Sequence, residues 1–192
     1  MPMIRECIVT TVSAAGRVHI APLGLIAEGD GWIIAPFRPS ATLDNLDAVP
    51  HAVASFVVDA RVFAGCLTGR KHWQLVATAG PVPRLAAALA HAELDVASVT
   101  QHLQRPRFHC RVAREVAHAP FKGMNRAQNA VLECAILVSR LHMLPREKVM
   151  AEIGYLEIAV SKTAGAEEVQ AWGWLMEKVA GFYGGGMQQP HR

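Results

Sequence analysis

The sequence has no long apolar run, no paired cysteines and no block of one charge. It contains no stretch of about 18 or more apolar residues without a charge, which argues against a membrane-spanning helix. Arg5 and Glu6 interrupt the apolar character that a signal peptide needs. The four cysteines stand far apart, without a C-x-x-C pair or the spacing of a zinc site. We therefore expect a cytoplasmic protein with reduced thiols, no bound metal ion and no membrane association.

The excess of positive over negative charge is also small. Lysine and arginine together number 19 and aspartate and glutamate 16, so the excess is three positive charges. No cluster of basic residues is interleaved with aromatic residues, and the composition therefore excludes a nucleic-acid-binding protein. The chain of 192 residues is 52% hydrophobic, which is enough to build one large domain or one domain with an added subdomain.

The first two-thirds of the chain has the pattern of short strands with brief connections. The predicted strands are residues 6–12, 17–28 (broken near Pro22), 32–36, 51–58, 62–67, 73–78 and 108–112. The segment Gly29-Asp30-Gly31 predicts a tight hairpin, with Asp-Gly taking the positive φ angles. A short helix is predicted over residues 42–49, and the alanine-rich segment at about 85–103 is predicted to be an inserted helix.

Beyond Phe121 the spacing of apolar residues changes from two to three or four. This period predicts three helices, the second starting near Pro145 and the third following a stop at Gly165. Strands followed by helices indicate the α+β class. The predicted organisation is a barrel domain over residues 1–121, a C-terminal helical subdomain over 122–183 and a flexible tail over 184–192.

Residues 37–46, Phe-Arg-Pro-Ser-Ala-Thr-Leu-Asp-Asn-Leu, combine the groups that hold a phosphate at the start of a helix. Ser40 and Thr42 can cap the helix, and their hydroxyls and the exposed N–H groups can face an anion. Arg38 adds a planar set of donors that matches phosphate. The pattern indicates a nucleotide or flavin phosphate site, and an ordinary helix cap beside a solvated arginine is the alternative.

The second predicted strand carries Pro22 and Gly24 in its middle. Proline cannot donate to a ladder and requires an edge or a bulge, while glycine allows a backbone or a flat ligand to approach closely. Such residues in an otherwise apolar strand are typical of a place where something docks.

Four segments together resemble the DUF447 family, which is related to the FMN-binding split-barrel flavoproteins. They are Glu-Cys-Ile-Val-Thr-Thr at residues 6–11, Arg-Val-His-Ile-Ala-Pro-Leu-Gly at 17–24, residues 38–46, and Asn-Arg-Ala at 125–127. The segment at about 85–104 carries no matching motif. The resemblance implies a six-stranded antiparallel, Greek-key-like split β-barrel, a homodimer, and one FMN at each end of the dimer interface.

The resemblance assigns the FMN phosphate to Arg38, Ser40 and Thr42. Asn45 then reaches the ribityl chain or braces the loop, and a helix-surface asparagine is the alternative. Asn125 and Arg126 stand at the start of the first C-terminal helix, where a cation opposes the helix dipole and suggests a bound anion. That anion is the flavin phosphate or a substrate carboxylate, and the alternative is a salt bridge to a partner chain.

The flavin ring is assigned to the second strand. The resemblance implies that Pro22 and Gly24 form part of the wall against the isoalloxazine, and that backbone groups around Pro22, Leu23 and Gly24 address its polar edge. His19 contacts the phosphate or the ring, unless it is a structural histidine.

No Ser–His–Asp set, metal cluster or carboxylate pair stands out, so the catalytic residues are unknown. A bound flavin carries its own redox chemistry, which favours an FMN-dependent oxidoreductase or flavin reductase of unknown substrate. Its redox partner is a nicotinamide, a deazaflavin or a pterin. The alternatives are a flavin-binding or sensing module without turnover and a structural dimer without cofactor.

Overall fold

The computed structural model describes residues 2–184, which form two compact units. The first unit contains the residues up to Val58 together with His72–Phe121. The second contains Asp59–Lys71 and the residues from Lys122 onward. Apart from its first residue, the predicted tail at 184–192 lies outside the described residues.

The first unit is a β-barrel with one short helix. Its elements are β1 (Ile4–Val12), β2 (Val18–Glu28), β3 (Gly31–Ile34), α1 (Ala41–Ala48), β4 (His51–Phe56), β5 (Leu75–Val76), β6 (Arg84–Leu85), β7 (Ala90–Thr100) and β8 (Arg107–Ala117). Six strands close an antiparallel barrel in the order β1-β2-β3-β8-β7-β4. The predicted six-stranded antiparallel barrel is confirmed.

The barrel interior is a continuous apolar core. Alternate residues of each strand point inward, as the two-residue period of a strand requires. On β1 these are Cys7 and Val9, which belong to the same cluster as Phe108 of β8. Helix α1 adds Leu43 and Leu46 to this cluster, so that the helix is attached to the barrel by buried side chains. The start of α1 is therefore positioned by the core.

Strand β2 is continuous through Pro22 and is not broken there as predicted. It pairs with β1 from Val18 to Ile26, but with β3 only from Ile26 to Glu28. Among the described residues 2–184, one side of β2 therefore has no neighbouring strand over Val18–Leu25. Proline lacks an N–H group and is tolerated in a strand whose edge is open. Pro22 thus lies on an edge, as expected, without interrupting the strand.

The β2–β3 hairpin uses different turn residues from those predicted. Glu28 pairs directly with Gly31, so the turn consists of Gly29 and Asp30. Gly29 has a φ of 55°, whereas Asp30 does not take a positive φ. A two-residue turn with glycine in its first position explains this arrangement. Gly31 is the first residue of β3.

The helix predicted at about 85–103 is wrong, because this segment contains β6 and β7. Ala92 and Leu94 point into the core of the barrel, and the intervening His91 and Glu93 lie on the other face of β7. The alanine content favours a helix locally, but pairing of β7 with both β4 and β8 determines the strand.

Two further strand predictions are also corrected. Residues 62–67 belong to α2 (Ala60–Leu67), whose N-cap Asp59 accepts a hydrogen bond from the Arg61 N–H at 3.0 Å. A short apolar run does not distinguish a strand from a buried helix. Of the predicted strand at 73–78, only β5 forms, and it pairs with β6 in a separate two-stranded sheet.

The second unit is helical. Besides α2 it contains α3 (Arg126–Val138), a short 3₁₀ helix (Leu141–Met143), α4 (Arg146–Thr163) and α5 (Ala166–Gly184), in agreement with the three C-terminal helices predicted. Cys134 on α3, Ile153 on α4 and Trp172 on α5 are buried, as the periodic pattern predicts. Within residues 2–184 no helix is both long enough and apolar enough to cross a bilayer.

The burial of the cysteines leads to a prediction on their reactivity. None forms a disulfide bond, and Cys7, Cys110 and Cys134 are buried while Cys66 is half-buried. Burial raises the pKa of Cys110 and of Cys134 to about 12, and it raises the pKa of Cys7 further. Because the thiolate is the reactive form, iodoacetamide at pH 8 is expected to modify Cys66 first. Peptide mass spectrometry of the native protein checks this, and rapid alkylation of Cys7 would contradict it.

Candidate functional site

The loop between β3 and α1 ends in a capped helix start, as predicted. Ser40 is the N-cap, and its Oγ accepts a hydrogen bond from the Leu43 N–H at 3.3 Å. The Asp44 N–H donates to the Ser40 carbonyl at 3.1 Å, while the N–H groups of Ala41 and Thr42 have no carbonyl partner within the helix. Thr42 is only 3% exposed, so a ligand reaches little of its side chain. The backbone of this turn therefore offers more donors to an anion than the two hydroxyls do.

Asn45 braces α1 against the barrel. It is buried, and its Nδ2 donates to Thr11 Oγ1 at 3.0 Å. Thr11 in turn lies opposite His19 in the β1–β2 pair. The buried position contradicts a helix-surface asparagine, while a contact of Asn45 with a ribityl chain stays a prediction. The bond also brings the start of β2 close to α1.

Arg38 is exposed and is attached to the turn between β7 and β8, residues 101–106. Its backbone N–H donates to the Gln104 carbonyl at 2.9 Å, and its Nη2 donates to Gln101 Oε1 at 3.2 Å. The β7–β8 turn is thus a second wall of the loop that carries Arg38.

Arg105 is the residue of this turn that sequence analysis missed. Its Nε and Nη2 both donate to the Ala35 carbonyl, at 3.1 and 2.9 Å. Its guanidinium carbon lies 4.3 Å from the centre of the Phe37 ring, a cation–π distance. Because residues 85–103 were predicted to be a helix, no turn was predicted here. Pro106, which lies between two basic residues, is the one sequence feature that indicates a turn at this place.

The residues assigned to the flavin ring lie on the part of β2 with the open edge. His19, Pro22, Leu23 and Gly24 are opposite Thr11, Ile8, Cys7 and Glu6, respectively. A Cβ at Gly24 would lie 2.7 Å from Ile4 Cγ2 and 3.1 Å from Glu6 Oε1. A side chain at position 24 would thus make the Ile4 and Glu6 side chains move, so β1 favours glycine there whether or not a flat ligand also approaches.

Asn125 and Arg126 belong to the second unit. Asn125 is the N-cap of α3, and its Oδ1 accepts from the N–H groups of Ala127 and Gln128 at 2.8 and 3.3 Å. Its Nδ2 donates to the Thr163 carbonyl at 3.0 Å, which ties α3 to the end of α4. Arg126 is exposed in the first turn of α3. The Asn125 oxygen and one of its two amide hydrogens are thus already used within the unit.

This arrangement predicts a structural role for Asn125. Asn125→Ala is expected to destabilise the second unit by about 1–2 kcal/mol, because the cap is lost. Asn125→Asp loses the bond to the Thr163 carbonyl but keeps the capping oxygen and adds a negative charge that the helix dipole favours, so it is expected to cost less. Urea unfolding followed by circular dichroism measures both variants. An Asn125→Ala protein as stable as the parent would contradict this role.

Two cavities of the first unit involve none of the ten predicted residues. The first, about 320 Å³, lies between residues 78–82 and the strands β4, β7 and β8, and Glu93 lines it. Glu93 Oε2 accepts from the Gly80 N–H at 3.0 Å, and its Oε1 lies 3.5 Å from His91 Nε2. His91 Nδ1 is 2.8 Å from His118 Nε2. Desolvation lowers the pKa of His118, and the positive charges of the nearby Arg84 and His91 lower it further.

The second cavity, about 390 Å³, lies beside the β2–β3 hairpin and β8. On its wall, His109 Nδ1 is 2.5 Å from Glu28 Oε2, and His109 Nε2 is 2.9 Å from Thr100 Oγ1. A carboxylate and a hydroxyl thus hold the two ring nitrogens, an arrangement that can transfer a proton. These residues lie on three different strands, β2, β7 and β8, which is why no local motif revealed the group. Within residues 2–184, no three His, Cys, Asp or Glu side chains are grouped to hold a metal ion.

Solved structures share this architecture. An FMN-bound DUF447 protein from Methanosarcina mazei superposes with a TM-score of 0.79 at 21% identity, over 93% of this chain and 96% of that chain. An FMN-binding protein from Thermus thermophilus gives a TM-score of 0.53 at 18% identity, over 65% and 77%. An NADH:FAD oxidoreductase from Streptomyces globisporus gives 0.50 at 14% identity, over 61% and 77%. The predicted α+β class with a split-barrel flavoprotein fold is confirmed.

Family models cover most of the chain. No curated protein matches it. The model of the DUF447 N-terminal domain, described as a protein of unknown function, matches residues 5–119. A second DUF447 model, with the same description, matches residues 125–177. The chain therefore belongs to the DUF447 family, as its sequence motifs indicate.

Proposed function

We propose that this protein binds FMN and acts through it as an oxidoreductase. The observation that carries the proposal is the loop before α1, where Arg38 stands beside a capped helix start. The FMN-bound DUF447 protein from Methanosarcina mazei, with the same fold over nearly the whole chain, supports the same ligand here.

The donors at α1 fit a phosphate. Arg38 forms no ion pair within residues 2–184, so its positive charge is available to an anion. The N–H groups of the first turn and the positive end of the helix dipole favour a negative group at the same place. Arg38 and this backbone would hold the phosphate, while Ser40 keeps the turn in its capped form.

The open side of β2 fits the edge of a flavin ring. Over Val18–Leu25, β2 has a strand partner on one side only. Its remaining N–H and C=O groups are hydrogen-bonding groups without a ladder partner. Backbone groups around Leu23 would orient a ring there, and hydrogen bonds to the ring tune its potential.

The bound flavin would supply hydride or electron transfer, and the chain's own residues supply binding and orientation. We propose a nicotinamide as the first electron donor to test, since an NADH:FAD oxidoreductase shares the fold. A deazaflavin or a pterin is the alternative. We also propose a homodimer, because large apolar side chains such as Phe121 and Met124 are exposed, at 59% and 88%.

Three measurements test the proposal. The purified protein is expected to carry yellow, FMN-like absorbance or to bind added FMN more tightly than riboflavin. NADH, NADPH or a reduced deazaflavin is expected to bleach the bound flavin under anaerobic conditions. Light scattering is expected to give twice the 20.8 kDa mass of the chain. A colourless protein that binds no FMN would defeat the proposal, and binding without reduction by any donor would favour a flavin-binding module.

A further inference from the structure

We propose that the β7–β8 turn supplies a second cationic group, Arg105, to the anion site at the start of α1. The inference rests on the proposed function, because it assigns Arg105 to the same phosphate as Arg38. The ligand class is a phosphate monoester, of which FMN is the proposed case.

Hydrogen bonds join the turn to the loop before α1. Arg38 donates its backbone N–H to the Gln104 carbonyl at 2.9 Å and its Nη2 to Gln101 at 3.2 Å. Two bonds from one residue to two positions of the turn fix both the backbone and the side chain of Arg38. The β3–α1 loop and the β7–β8 turn therefore form one structure.

The guanidinium of Arg105 is fixed against the residues that precede Arg38. It donates twice to the Ala35 carbonyl, at 3.1 and 2.9 Å, and lies 4.3 Å from the centre of the Phe37 ring. These contacts use Nε and Nη2 and leave Nη1 without a hydrogen bond to residues 2–184. Nη1 is thus a donor that an outside acceptor can use.

The turn itself is ordered by His102. Its Nδ1 accepts from the backbone N–H groups of Gln104 and Arg105, at 3.2 and 3.1 Å. The position of the Arg105 backbone is therefore set within the turn, before any ligand is bound.

The charges point to an anion. In the part of the chain that the structure describes, neither Arg38 nor Arg105 forms an ion pair with a carboxylate. Two guanidinium groups on loops that hydrogen bonds join add to the positive potential at this place, which favours a dianion there. A phosphate monoester carries about two negative charges at pH 7 and matches planar arginine donors. Both arginines are exposed and can be reached.

The test compares FMN with riboflavin, which lacks the phosphate. Arg105→Ala is expected to raise the Kd for FMN about 10-fold, to leave the Kd for riboflavin unchanged, and to make FMN binding less sensitive to salt. Arg105→Lys keeps the charge and is expected to lose less. Inorganic phosphate is expected to compete with FMN more weakly in Arg105→Ala than in the parent protein.

The matched control is Arg114→Ala. It removes the same charge from the other end of β8, roughly 20 Å from Arg107 along the strand. Its FMN affinity is expected to equal that of the parent protein.

The outcomes separate the two proposals. A parent protein that binds no FMN would defeat the proposed function, whereas one that binds FMN and riboflavin equally would overturn the phosphate site and with it the present inference. An FMN preference that Arg38→Ala abolishes and Arg105→Ala leaves intact would overturn only the present inference. Equal losses for both flavins in Arg105→Ala would overturn it too, since they would indicate a disordered loop. The inference would also be overturned if Arg105→Lys bound FMN as weakly as Arg105→Ala does, because the positive charge would then make no contribution.

Discussion

Arg38→Ala is expected to weaken FMN binding by about 1.5–3 kcal/mol, roughly 10- to 100-fold in Kd, and to change riboflavin binding little. The lost interaction is a charge-assisted hydrogen bond to a phosphate that riboflavin does not have. Arg38 is exposed, so its truncation leaves no cavity, and its backbone bond to Gln104 remains. Titration of each flavin, followed by its fluorescence, measures the two affinities.

Two variants sharpen this result. Arg114→Ala removes one positive charge elsewhere on the barrel and is expected to bind both flavins as the parent protein does. Thr42→Val is expected to weaken FMN binding in the same direction as Arg38→Ala but less, because Thr42 is almost fully buried. Equal losses of FMN and riboflavin in Arg38→Ala would refute the assignment of Arg38 to the phosphate.

Local patterns predict the elements whose pairing partners are close in the chain. Strands β1, β2 and β3 follow one another through short turns, and each is rich in β-branched and apolar residues. Helix α1 is predicted because Ser40 is a strong N-cap and Leu43 and Leu46 have helical spacing. The three C-terminal helices are predicted for the same reason, a sustained period of three to four residues.

Elements that tertiary contacts determine are not predicted. The alanine-rich β7 has helix-forming composition, but it lies between β4 and β8 in a closed barrel, and small side chains such as Ala92 fill the interior there. The apolar run at 62–67 is helical because α2 packs with α3 and α5 in the second unit. No pattern within either segment contains that information.

In the candidate site, too, local sequence patterns predict some residues, while tertiary contacts determine the others. Its local half, Arg38 and Ser40, is readable because a cap and its neighbours are contiguous in sequence. Its other half, Arg105, reaches the loop only because β8 pairs with β3 and returns the turn to Ala35. The group of Glu28, Thr100 and His109 likewise depends on strand register. A sequence motif therefore predicted a phosphate site at this loop, but it did not indicate Arg105, which we propose as a further donor.

The pairing of β3 with β8 positions this site, and it is expected to be disrupted by a side chain at Gly31. A Cβ added there would lie far inside van der Waals distance of the Cys110 carbonyl oxygen, a backbone atom that cannot move alone. Gly31→Ala must therefore separate β3 from β8, and we expect a loss of about 3 kcal/mol in the free energy of unfolding. Denaturation by urea, followed by tryptophan fluorescence, measures it.

Gly154→Ala is the matched control for the same substitution. Gly154 lies in the middle of α4, and a Cβ there would meet no atom within 4 Å. Alanine is the better helix former, so this variant is expected to gain about 1 kcal/mol. Changes of opposite sign in the free energy of unfolding would separate steric overlap between β3 and β8 from any general effect of replacing glycine. A Gly31→Ala protein as stable as the parent would mean that β3 and β8 lie farther apart at Cys110, and the β3–α1 loop would then lose the support that holds Arg38 beside the β7–β8 turn.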